Sequence, residues 1–309
     1  HGVARSGLAT SFPQAIALAS TWDTDLMYEV ASAISDEARV YYNLKGKGLS
    51  YWSPTINVSR DPRWGRAEEA YSEDPFLTAQ FGISFVKGMQ GENPDYLKTI
   101  ATIKHFAANN SEYNRRHGSS DMDERTLREY YLPAFKATVE EANPFSLMTA
   151  YNAINGIPAS AHKELVTDIL RDQWGFSGYV VSDYGAISDV YSRHHYVATA
   201  PEAAAVCIKA GTDLNAGNIY QNNIAEAIEK GYMTEADLDL ALVRIFEGRI
   251  RTGEFDPKAM DPYSYLGETH LASEEHADLA LEAARKAIVL LKNENHLLPL
   301  NKDEISSIA

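Results

Sequence analysis

The chain has a single cysteine, Cys207, in 309 residues. One thiol makes neither an internal disulfide nor a thiolate metal cluster. That scarcity suits cytoplasm, and equally a disulfide-free periplasmic or secreted protein. No run of about 18 uncharged apolar residues occurs, so no helical membrane span is expected. Positive charge is scarce too: 28 Lys and Arg against 43 Asp and Glu leave a net charge of −15. A nucleic-acid binder usually displays a basic face. Here the Arg115-Arg116 pair stands alone, and no nucleic-acid partner is expected. Also missing are a G-x-G-x-x-G turn, a phosphate loop and a G-x-S-x-G elbow. Their absence argues against a dinucleotide-binding sheet and against acyl transfer from an activated serine. His194-His195 lack a spaced third ligand, so no metal and no cofactor are assigned.

What is present is a globular composition, 45% hydrophobic and 23% charged, with length enough for a large core. Apolar, β-branched runs alternate with helical patterns. Leu49–Val58 reads as a strand and its loop, followed by Thr99–Phe106, Phe145–Tyr151, Tyr179–Asp183 and a weak fifth, Ala210–Leu214. Between them, Asp23–Asn43 and Asp123–Ala142 have helical spacing, the latter expected to bend at Pro133. Pro201 fits a first helical turn that Gly211 can end. Thr234 to Asp237 resembles a capping box, and Gly253 stops the helix it opens. Strand–helix steps of this length imply parallel strands joined by crossovers. The predicted fold is α/β, a TIM-type (β/α)8 barrel over residues 1–253. The rhythm breaks at Pro257 and Pro262. Residues 254–309 then read as a linker, a helix at Ser273–Ala287 and, from the run Ile288–Leu291, the start of a second α/β domain. The chain opens on His1-Gly2 and stops in Ile305–Ala309, where an apolar segment begins. Both ends read as cuts, with the barrel's first strand region expected to be missing.

In a parallel barrel, chemistry gathers where strands meet the following loops. Those positions hold Arg60–Arg66 after the first run, Lys104-His105, Tyr151-Asn152 and Ser182-Asp183-Tyr184. Asp183 leaves the buried pair Val180-Val181, either as a helix cap or as a nucleophile or base. A nearby Lys or Arg would keep it ionised. Lys104 and His105 read as a buried salt-bridge pair or as sugar ligands. Arg66 reads as a surface partner of Glu68 or Glu69, or as part of a pocket that Trp64 helps to shape.

Taken together, these stretches resemble the N-terminal barrel of glycoside hydrolase family 3. The matching residues are Trp52-Ser53-Pro54 through Arg60–Arg66 and Ser72–Pro75; Lys104-His105-Phe106; Ala150-Tyr151-Asn152 with Asn155-Gly156; Gly178–Asp183; and Val289–Asn293 with Leu297–Leu300. The resemblance implies a retaining exo-acting β-glycosidase acting on terminal β-D-xylosyl or β-D-glucosyl residues of oligosaccharides or glycosides. In that chemistry one carboxylate attacks the anomeric carbon and a second carboxyl group serves as acid, then base. It implies Asp183 as nucleophile, with Arg66, Lys104, His105 and Tyr151 around the sugar. Arg116 is carried over from the xylosidase-like branch. Tyr184 stands where the family's glucosidases often have tryptophan and its xylosidases cysteine, which leaves the sugar undecided. The opening His1–Ala4 and the stretch Arg116–Phe135 lean toward xylosidases. The acid/base is expected from a C-terminal domain outside this chain. A β-N-acetylglucosaminidase-like member would instead use a loop pair such as His117 and Asp121, although that branch's Pro-Gly-His-Gly is absent. A non-catalytic sugar-binding barrel is the other alternative. An upstream signal peptide would favour the periplasm or secretion.

Overall fold

The computed structural model describes residues 2–307. His1 of the xylosidase-like opening, and Ile308 and Ala309 of the closing apolar segment, lie outside the described residues.

Seven strands are present among them: β1 Ser50–Tyr51, β2 Ile100–Phe106, β3 Ser119–Ser120, β4 Ser146–Thr149, β5 Ala153–Ile154, β6 Ile157–Pro158 and β7 Tyr179–Ser182. β1, β2, β4 and β7 form one parallel sheet in that order. The order never reverses, as in a barrel and unlike a doubly wound sheet. Val181 bridges in parallel to Leu214, so the weak Ala210–Leu214 run is reduced to a single bridge at the sheet's far edge. The expected α/β, TIM-type alternation is therefore found, with four parallel strands and one bridge in the described residues. Crossovers run through the helices Pro75–Gln90 and Pro133–Ala142, the π-helical stretch Glu164–Gln173 and the helix Ala200–Lys209. β3, β5 and β6 make a small separate sheet above the strand ends.

The residues explain the layers. β4 and β7 are buried throughout, as strands covered on both faces must be. Their side chains alternate. Leu147 and Val180 join the large core beneath the outer helices. Met148 and Val181 join a second cluster inside the sheet's curve, with Ile100, Phe145 and Tyr179, against which Trp52 and Ile245 pack. The helix Thr24–Lys45 starts with the Asp23 carboxylate accepting from Leu26 N–H and lies close against Pro75–Gln90. At Gly88 an added Cβ would come within 2.5 Å of the Tyr28 carbonyl oxygen, so only glycine allows that approach.

One expectation changes. Asp123–Ala142 is not one bent helix: Glu124–Thr126 passes into a π turn, Leu127–Tyr131, and a new helix begins with Pro133 in its first turn. A proline lacks the N–H an interior turn needs but suits a helix start. The stretch beyond residue 253 is held to the rest of the described residues by side-chain contacts. Asp261 pairs with the fully buried Arg39 at 3.1 Å, and Asn43 Nδ2 donates to the Tyr263 and Leu266 carbonyls. The helix Glu274–Lys286 is held by His276 Nδ1, 2.9 Å from the Glu37 carboxylate. The run Ile288–Leu291 is exposed and forms no strand.

Candidate active site

The strand ends bring Asp183, His105, Lys104 and Arg66 together. β4 pairs with β7 residue for residue, Thr149 opposite Ser182, which fixes where Asp183 emerges. Asp183 is 8% exposed. Its Oδ1 accepts from the Tyr184 N–H at 2.7 Å. Its Oδ2 is buried with no hydrogen-bond partner. His105 explains why. Asn57 Oδ1 accepts from the His105 backbone N–H at 2.7 Å and lies 3.2 Å from Nδ1, while Asn57 Nδ2 donates to the His105 carbonyl. An oxygen acceptor there requires Nδ1 to carry the proton. Nε2 is then an acceptor and receives Arg66 Nη1 at 3.2 Å. It stands 3.6 Å from Asp183 Oδ2, lone pair toward lone pair. Burial, with the charges of Lys104, Arg66 and Arg115, holds His105 well below the usual imidazole range and keeps it neutral.

Burial raises the Asp183 pKa, against the Tyr184 N–H and the charges of Lys104, Arg66 and Arg115. Lys104 is lowered by burial and by Arg66, with Glu69 and Asp183 opposing. Arg66 makes a two-bond fork with Glu69, at 2.8 and 2.7 Å. Burial would raise Glu69, yet the Arg66 bonds and the nearby Lys104 hold it below the ordinary carboxylate value. Arg66 thus pairs with Glu69 and also turns Nη1 to His105. Lys104 and Glu69 also line a cavity of about 590 Å³ that extends to residues 2–4 and 9–15.

Tyr151 closes the other side. Its OH donates to the Tyr184 carbonyl at 2.8 Å, tying the end of β4 to the turn after Asp183. Burial, with the Asp183 charge, pushes its pKa up to about 12. Arg116 is only partly in this group. Its guanidinium forks onto the buried Asp189 at 2.7 and 3.1 Å and lies 5.4 Å from the Tyr151 ring centroid. Arg115 is the closer cation over that ring, at 4.7 Å, and pairs with Glu112 at 2.7 Å. Trp64 is a wall rather than an open platform: it is 6% exposed and its indole N–H donates to Glu112. His117 is exposed, and Asp121 accepts from Ser119. Sequence reasoning missed Asn57, Glu112 and Arg115, and also His194, whose Nε2 donates to the Tyr151 carbonyl at 2.9 Å.

The model for the glycosyl hydrolase family 3 N-terminal domain matches residues 1–247. The chain belongs to glycosyl hydrolase family 3. Among curated relatives, a probable β-D-xylosidase 7 of Arabidopsis thaliana is 38% identical over all of this chain and 43% of its own length. A xylan 1,4-β-xylosidase of Xylanibacter ruminicola is 37% identical over 98% of this chain and 37% of its own. Among solved structures, a family 3 exo-β-xylosidase in complex with a xylobiose aziridine probe superposes with a TM-score of 0.92 at 34% identity, over 96% of this chain and 39% of that one. β-Glucosidase 3B of Thermotoga neapolitana in complex with glucose gives 0.79 at 36% identity, over 94% and 38%. The chain spans about two fifths of the length of these relatives.

Proposed function

We propose that this chain carries the nucleophile half of a retaining, exo-acting β-glycosidase that removes terminal β-D-xylosyl or β-D-glucosyl residues from oligosaccharides or glycosides. The observation that carries the reading is the Asp183 Oδ2 atom: buried, without a donor, and flanked by three cations. A purely structural aspartate at 8% exposure would have its second oxygen bonded. Here Oδ2 attacks the anomeric carbon from the face opposite the leaving oxygen and forms a covalent glycosyl-enzyme, which water then hydrolyses. Arg66, Lys104 and neutral His105 bind hydroxyls of the sugar. Bonds from the two cations tighten as charge develops in the transition state. Arg115 takes the part expected of Arg116, which acts through Tyr151 and Asp189.

The second carboxyl group is a separate question. Glu69, Glu112 and Asp189 are each held by a guanidinium, which makes each a poor proton donor. We assign the acid/base to the part of the relatives' length that this chain does not span. The xylosidase names among the curated relatives favour xylose. The test is a 2-deoxy-2-fluoro-β-xyloside with an activated aryl leaving group, followed by peptide mass spectrometry. The expected product is an adduct on Asp183. Sugar binding with no adduct would make the chain a carbohydrate-binding module instead.

A further inference from the structure

Behind the Asp183 cluster, the loop after β2 encloses a second polar hollow. A cavity of about 380 Å³ has Asn109, Asn110, Arg115, Asp121 and Asn152 on its walls, with Arg60 beside them. Asn109 is 1% exposed and Asn152 5%. Both amide atoms of Asn109 and the side-chain oxygens of Asn110 and Asn152 are buried with no hydrogen-bond partner among the described residues. The other ends of two of these amides are fixed. Asn110 Nδ2 donates to the Val58 carbonyl at 2.6 Å, and Asn152 Nδ2 to the Ala107 and Ala153 carbonyls. The fold thus pins Asn110 and Asn152 and leaves three acceptors and one donor unmatched.

That set selects its ligand. Buried amides left unpaired are costly, so an apolar occupant would worsen the site. A metal cation would meet the guanidiniums of Arg60 and Arg115 against the single carboxylate of Asp121. A hydroxyl both donates and accepts, needs no charge, and matches a mixed amide lining. We propose that this cavity is a second saccharide-binding site, taking one neutral, hydroxyl-rich sugar ring and sharing Arg115 as a wall with the Asp183 cluster. In naming sugar as the ligand, the proposal rests on the glycosidase reading above.

Crystals of the 309-residue chain soaked in xylobiose should show a ring bonded to Asn109 and Asn152. Ordered water alone, or an anion against Arg60 and Arg115, would overturn the proposal. In solution, Asn109→Leu keeps the side chain's branching and heavy-atom count, breaks no hydrogen bond among the described residues and can place its larger methyl groups in the cavity, so its melting temperature should change little. Its affinity for xylobiose, by calorimetric titration, should fall about tenfold. An unchanged affinity would make any crystal occupancy an effect of soaking concentration and refute the site; should the variant fail to fold, the wild-type soak decides. Labelling of wild-type Asp183 by the monosaccharide fluoro-xyloside reads the glycosidase assignment separately. Sugar in the cavity without labelling removes that assignment alone; labelling with an empty cavity removes this one alone.

Discussion

The unpartnered oxygen of Asp183 makes a prediction about stability as well as chemistry. In Asp183→Asn the side chain keeps its shape, and its oxygen still accepts from the Tyr184 N–H. The orphan acceptor becomes an NH₂ donor facing the His105 Nε2 acceptor, 3.6 Å away in the wild type. Relieving a buried unsatisfied group is worth about 1–3 kcal/mol. Lys104, Arg66 and Arg115 lose a partner in the exchange, so the lower part of that range applies. The variant should be about 1–2 kcal/mol more stable at pH 7, roughly 1.5–3 °C in melting temperature for a chain of this size, while losing the fluoro-sugar adduct. The pH dependence is a second signature. Burial raises the folded-state pKa above the ordinary value of 3.8. The wild type is therefore relatively more stable when Asp183 is protonated, and that stability is lost as pH rises through the raised value. Asparagine does not titrate. The melting gap between variant and wild type should be widest near neutrality and close as pH falls toward about 4. Calorimetry between pH 4 and 8 checks both points. A variant that melts no higher at pH 7, or a gap independent of pH, refutes the account of a strained, functional carboxylate.

Two further outcomes follow from the charged contacts. Asp213→Ala strips the counter-charge from Arg171 and Arg244, bonded to it at 2.6 and 2.9 Å, and should lower the unfolding free energy by about 3–5 kcal/mol in urea titrations; a loss under about 1 kcal/mol would contradict it. Arg115→Ala should slow fluoro-xyloside inactivation at least about tenfold, whereas Arg116→Ala should mainly lower thermal stability; the reverse ranking of inactivation rates would return the sugar contact to Arg116.

Much of the scaffold could be read from residue type. The runs that became β2, β4 and β7 are β-branched and apolar because those strands are buried on both faces, and their ends lie within a residue or two of expectation. Thin signals were the weaker ones. Leu49–Val58 yields only Ser50–Tyr51 as strand, with a bridge from Thr55 to Lys104. Arg66, Lys104, His105, Tyr151 and Asp183 were legible because each closes a strand or its first loop. Arg115 and Arg116 were not separable: they are neighbours on one loop. What holds Arg116 is Asp189, 73 positions away, which no local pattern signals. Asn57 and His194 carry no motif at all, since they act on backbone atoms of His105 and Tyr151.

The limit of such reading is sharpest in two aspartates. Asp183 and Asp213 both follow small or apolar buried residues at adjacent positions of one sheet, and burial raises both carboxyls. By residue type and burial they are nearly equivalent. Their donors differ. Asp213 receives Arg171, Arg244 and the Val180 N–H at 2.8 Å, so both of its oxygens are bonded. Its charge is matched in place, and it ties the bridge at Leu214 to β7. Asp183 receives one N–H, and its cations lie around it without bonding Oδ2. A carboxylate whose two oxygens are both bonded to guanidiniums is a poor nucleophile; one with a bare, buried oxygen is a better one. The role proposed for Asp183 therefore rests on an unmade bond, set by the positions of Asn57, Arg66 and His105.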